Sequence, residues 1–172
     1  ANIGDLDGDG VNDLAVGASG DDDARGAVHI IFMNTDGSVD STVEINSSTT
    51  NGPTLANSDQ FGISVANIGD LDGDGVNDLA VGASGDDDAR GAVHIIFMNT
   101  DGSVDSTVEI NSSTTNGPTL ANSDQFGISV ANIGDLDGDG VNDLAVGASG
   151  DDDARGAVHI IFMNTDGSVD ST

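Results

Sequence analysis

Four aspartates fall within nine residues at Asp5, Asp7, Asp9 and Asp13, and the stretch that holds them, GDLDGDGVNDLAVGAS, returns unaltered from Gly69 and from Gly134. Carboxylates at alternate positions with glycines between them form a chelating pattern, because Gly8 and Gly10 let the backbone curl tightly enough to turn several oxygens inward. From Asp70 the pattern reads DxDxDGxxD, which offers the side chains of Asp70, Asp72, Asp74 and Asp78 and the backbone carbonyl of Val76. The first copy presents Asp5, Asp7, Asp9, Val11 and Asp13 in the same roles, and the third presents Asp135, Asp137, Asp139, Val141 and Asp143. Hard oxygen ligands without histidine or cysteine select calcium over zinc or copper, so calcium is the expected cofactor. A helix–loop–helix calcium hand would carry glutamate at its twelfth position, where Val81 stands. The loop is therefore expected to be a calcium hairpin between two β-strands. Four carboxylates about 5 Å apart repel by roughly 3 kcal/mol per pair at an effective dielectric near 20, so without a cation the loop should splay. The plainer alternative is a solvated acidic turn in which aspartate serves only Asx-turn geometry.

Such loops need rigid flanks, and the patterning supplies strands. FGISVANIGD (61–70) and NDLAVGAS (77–84) bracket the acidic loop, GAVHIIFMN (91–99) follows with Val93, Ile95 and Phe97 on one face, and STVEINSS (106–113) is a weaker fourth strand. The connectors are dense in Gly, Asp, Asn, Ser and Thr, Asn34-Thr35-Asp36-Gly37 reads as a hairpin turn, and no helix is expected. The chain divides into repeat 1 (1–65), repeat 2 (66–130) and a partial repeat 3 (131–172). With five Phe and no Trp or Tyr, a single four-stranded sheet buries too little to stand alone, so each must stack on a neighbour. The expected fold class is all-β: tandem four-stranded antiparallel blades with calcium-binding hairpin loops, propeller-like, stacked as part of a larger ring or open array.

Composition narrows the partners. With 31 acidic and 3 basic residues in 172, the net charge is -28, so no nucleic-acid phosphate backbone is a partner and anionic membrane surfaces are disfavoured. The longest apolar patch, 27–33, is interrupted by His29 and falls far short of the roughly 20 residues a spanning helix needs, so no membrane insertion is expected. Cysteine is absent, which removes disulfides and thiolate metal sites. The chain starts and stops inside its motif, as would a window from a longer protein. His29 reads as a neutral, partly covered histidine, and Arg25 as a local partner for one of Asp21, Asp22 and Asp23, a run read as a solvated loop in preference to a second cation site. Asn46-Ser47-Ser48 and Asn111-Ser112-Ser113 fit the NxS/T acceptor pattern, which makes Asn46 and Asn111 candidate glycosylation sites.

FGISVANIGDLDGDGVNDLAVGAS resembles the FG-GAP repeat of integrin-α-type β-propellers and their bacterial relatives. Phe61-Gly62 matches the FG, Asp70 to Asp78 the calcium loop, and Gly82-Ala83-Ser84 the GAP, with serine in place of proline; the match recurs at Phe126-Gly127 with Gly147-Ala148-Ser149. The resemblance implies blades of four antiparallel strands, one calcium per blade, and extracellular or cell-surface adhesion or ligand binding, usually without catalysis. Identical units without a nucleophile and base in proximity also argue against an enzyme. Two functions fit: a structural array forming an extracellular fibre or stalk, favoured by letter-perfect repetition, and a closed integrin-α-like propeller that binds a ligand. In both, the partners are further copies of the same repeat, in the same chain or in others, with glycans as additional decoration.

Overall fold

The computed structural model describes all residues 1–172 and folds them into three four-stranded sheets, each an antiparallel meander whose strand order follows the chain. The first holds β1 (Asn2–Gly4), β2 (Asp13–Ala18), β3 (Ala27–Met33) and β4 (Val39–Ile45). The second holds β5 (Phe61–Gly69), β6 (Asp78–Ala83), β7 (Ala92–Met98) and β8 (Val104–Ile110), and the third β9 (Phe126–Gly134), β10 (Asp143–Ala148), β11 (Ala157–Met163) and β12 (Val169–Ser171). These are the expected all-β tandem blades.

Two expectations need correction. The fourth strand, placed over 106–113 by its composition, runs Val104–Ile110. Asn111 ends it, because its Oδ1 accepts the N–H of Ser113 at 2.8 Å and its carbonyl accepts the N–H of Thr114 at 3.1 Å, which bends the chain into a turn. The expectation of no helix fails at α1 (Asp21–Ala24), α2 (Asp86–Ala89) and α3 (Asp151–Ala154), each a single turn. These turns are left-handed knots: Asp22, Asp23 and Ala24 have φ of 45, 58 and 60°. A left-handed residue with a Cβ costs roughly 1–2 kcal/mol. Hydrogen bonds across the blades offset that cost, since the carbonyls of Asp23, Ala24 and Arg25 accept the N–H groups of Ser58, Gln60 and Phe61 at the entry to the next blade.

The core lies between the blades. Successive residues of a strand face opposite sides, so Leu79, Val81, Ile96 and Met98 join Val28, Ile30, Ile45 and Phe61 in a cluster against the first blade. On the opposite face Ala80, Val93, Ile95 and Phe97 join Phe126, Leu144, Val146 and Ile161 against the third. Every residue of β6 and β7 is buried, as befits a sheet covered on both faces. The backbones touch where the sequence is glycine: a Cβ on Gly17 would lie 1.8 Å from the carbonyl oxygen of Gly62, and one on Gly82 would lie 1.9 Å from that of Gly127. The Phe-Gly that opens one blade thus seats on the Gly-Ala that closes β2 or β6 of the blade before it.

Candidate metal centre

Each acidic loop joins the first and second strands of its blade. Gly8 and Gly10 take φ of 81 and 92°, where a Cβ would be strained. Asp5 organises this curl, with Oδ1 accepting from the Gly8 N–H at 2.8 Å and Oδ2 from the Gly10 N–H at 2.9 Å. Asp70 and Asp135 hold Gly73 and Gly75, and Gly138 and Gly140, in the same way.

The last aspartate of each loop anchors it to the sheet. Asp78 is 1% exposed; its Oδ2 accepts from the Leu71 N–H at 2.8 Å and its Oδ1 from the Met98 N–H at 3.0 Å. Asp13 is held by Leu6 and Met33, and Asp143 by Leu136 and Met163. One carboxylate therefore ties the loop's start to the end of the third strand, and the same group faces its acidic neighbours.

Carboxylate oxygens of Asp5, Asp7 and Asp13 come within 4.8 Å of one another, as do those of Asp70, Asp72 and Asp78 and of Asp135, Asp137 and Asp143. Asp9, Asp74 and Asp139 lie outside these close groups; their Oδ1 atoms accept the N–H of Val11, Val76 and Val141. Three convergent carboxylates, one of them buried, and no nitrogen or sulfur donor suit a hard dication. Burial, with the charges of Asp72 and Asp74 adding to it, pushes the Asp78 carboxyl up to about 6.

The loop also reaches the neighbouring blade through a residue that the chelating pattern does not single out. Asn77, between Val76 and the anchoring Asp78, donates from Nδ2 to the carbonyl of Ile3 at 2.9 Å, and Asn142 makes the same bond to Ile68 at 2.8 Å. Each clasp joins an acidic loop to the first strand of the preceding blade. Its only sequence signal is an asparagine beside the last aspartate.

The remaining candidates have plain places. Arg25 pairs with Asp22 at 2.9 Å and donates from Nε to Asn57 of the connector. His29 is half-buried, whereas its counterpart His94 is 2% exposed and stands edge-on to Phe61 with ring centroids 5.4 Å apart. Burial lowers the pKa of His94 to about 4, so the ring is neutral. Asn46 donates from Nδ2 to Glu44 at 2.6 Å while its Oδ1 accepts from Ser48, an arrangement that Asn111 repeats with Glu109 and Ser113.

Comparison with known families matches residues 2–31, 61–96 and 126–161 to the FG-GAP repeat. Integrin alpha-4 of Xenopus laevis is 34% identical over 149 residues, which is 84% of this chain and 13% of that protein. Integrin alpha-PS5 of Drosophila melanogaster is 33% identical over 150 residues, 85% of this chain and 14% of that protein. Integrin alpha-5 of Xenopus laevis is 43% identical over 98 residues, 54% of this chain and 9% of that protein. The chain therefore spans between 9% and 14% of the length of these relatives.

Proposed function

The chain belongs to the FG-GAP repeat family, and from that premise we propose that it is a run of calcium-clamped blades with a structural, non-enzymatic role outside the cell or on its surface, one segment of a longer array that forms a fibre or stalk. The observation that carries this reading is the mismatch between inner and outer faces of identical sequence. Val16 is 44% exposed on the outer face of the first blade, while its counterpart Val81 is 0% exposed in the central one. Val158 is 68% exposed on the third blade, while its counterpart Val93 is 0% exposed. The two end faces are the two halves of an interface that the chain already makes twice, so each end fits a further copy of the repeat. The halves differ, and such heterologous contacts close into a ring or continue as a filament.

Calcium enters this reading through the oxygen-only loops and through the Asn77 and Asn142 clasps, which couple loop order to blade stacking. The resemblance to integrin alpha chains favours a second reading, a closed propeller for adhesion or ligand binding. Electron microscopy of the calcium-loaded chain, alone and within longer runs of its repeat, separates the two. Filaments that disperse in chelator support the array and discs support the ring. Compact single particles without engaged ends, indifferent to calcium, would overturn both.

A further inference from the structure

At the end of the central blade away from its acidic loop, three side chains from three elements converge. Asp86 comes from α2, His94 from β7, and Glu109 from β8, where it is the cross-strand partner of His94. One oxygen of each carboxylate and one imidazole nitrogen lie within 4.8 Å of one another. His94 is 2% exposed and its Nε2 is shut off from solvent with no hydrogen-bond partner. Buried polar atoms are nearly always paired, so an orphaned nitrogen beside two carboxylates calls for an explanation. The third blade repeats the feature: His159 Nε2 lies 3.4 Å from Asp151 Oδ2 and also lacks a hydrogen-bond partner.

We propose that Asp86, His94 and Glu109 form a second metal site, separate from the acidic loops and suited to a zinc-class dication. An imidazole nitrogen with two carboxylate oxygens is a donor set for zinc and its neighbours, whereas calcium takes oxygen alone. Tetrahedral zinc with bonds of about 2.0–2.2 Å needs donors roughly 3.4 Å apart, so a modest inward rotation of the two acidic side chains completes the set. Two of the donors, His94 and Glu109, line a recess of about 150 Å³ together with Thr107 and with Gly52, Pro53 and Thr54 of the preceding blade's connector, which leaves room for a further ligand. The connector is fixed there by the Thr107 hydroxyl, which donates to the carbonyl of Asn51. The site thus lies on the seam between two blades, and among the three copies the central one brings all three donors together. This inference stands apart from the calcium reading, because it uses none of the loop aspartates.

The test is zinc titration by calorimetry of the 172-residue chain in excess calcium, which keeps the acidic loops occupied, with cobalt absorption in the visible range as a second readout. One zinc per chain is expected, with affinity at least tenfold weaker in Glu109→Gln and in His94→Gln, and with the cobalt spectrum lost in His94→Gln. Glu109 is exposed, so its variant remains informative if His94→Gln fails to fold. Zinc heat abolished by calcium, undiminished in Glu109→Gln, or absent up to about 100 μM would overturn the site and leave a buried histidine beside two carboxylates.

Discussion

The aspartates of one loop divide the work between folding and charge, and substitution separates the two. Asp72 is exposed and bonds only the N–H of Asp74, at 3.1 Å, so its removal leaves the loop's frame standing and relieves repulsion. Asp72→Ala is expected to leave the metal-free melting temperature unchanged or slightly raised while losing one loop's share of the calcium-induced gain, about 2.7 kcal/mol at a hundred times Kd. Asp78→Ala is expected to destabilise the chain with or without calcium, by about 3 kcal/mol, because it strands the buried N–H groups of Leu71 and Met98. Paired melts in calcium and in chelator check both; equal losses for the two variants would show that the loop has no such division. The convergence of Asp70, Asp72 and Asp78 was legible in the sequence because alternate aspartates and glycines are local. The neighbourhood of His94 was not. The hairpin register shifts between Phe97 and Met98, and only that bulge sets Glu109 opposite His94.

Between elements, the seam depends on absent side chains as much as on present ones. Gly82 and Gly147 occupy the same position in successive copies of the repeat, and both would press an added methyl 2.4 Å from a serine oxygen of their own blade. Gly82 alone also faces a neighbouring backbone, with Gly127 oxygen 1.9 Å from the added Cβ. Gly82→Ala is therefore expected to cost about 2–3 kcal/mol more than Gly147→Ala in chemical denaturation, the upper range for overpacking. Asn77→Ala should weaken the same kind of seam more gently, by about 1 kcal/mol, and make the remaining stability less responsive to calcium; an unchanged calcium response would separate loop order from stacking. The sequence made most strands legible through alternation and turn residues. It left the left-handed Asp21–Ala24 turn unread because that conformation is held by bonds to Ser58, Gln60 and Phe61, which lie more than thirty residues away.

At the scale of the whole molecule, one interface is made twice and left half-made at both ends. Covering a fully exposed valine or leucine is worth roughly 1.5–3 kcal/mol. The outer face of the first blade presents Leu14, Val16 and Val39, and that of the third presents Ile133, Leu136 and Val158. Their counterparts in the central blade meet in the cores on either side of it, so the two faces are complementary by construction. Opposing this is the net charge of -28, which repels sides as well as ends until cations bind near the loops. Head-to-tail association is therefore expected to require calcium, to strengthen with salt and to produce linear or ring-shaped species in preference to lateral bundles. Val158→Asp supplies the decisive control, since the same substitution at its twin has a different consequence. At the 68% exposed end it should leave the fold and its calcium response intact while abolishing association, whereas Val93→Asp, at 0% exposure, should break the chain's own stack. Sedimentation velocity in calcium reads the first and circular dichroism the second. Association that survives Val158→Asp, or a calcium-loaded parent chain that stays monomeric at concentrations of about 100 μM, would show that the exposed faces are not the halves of a shared interface.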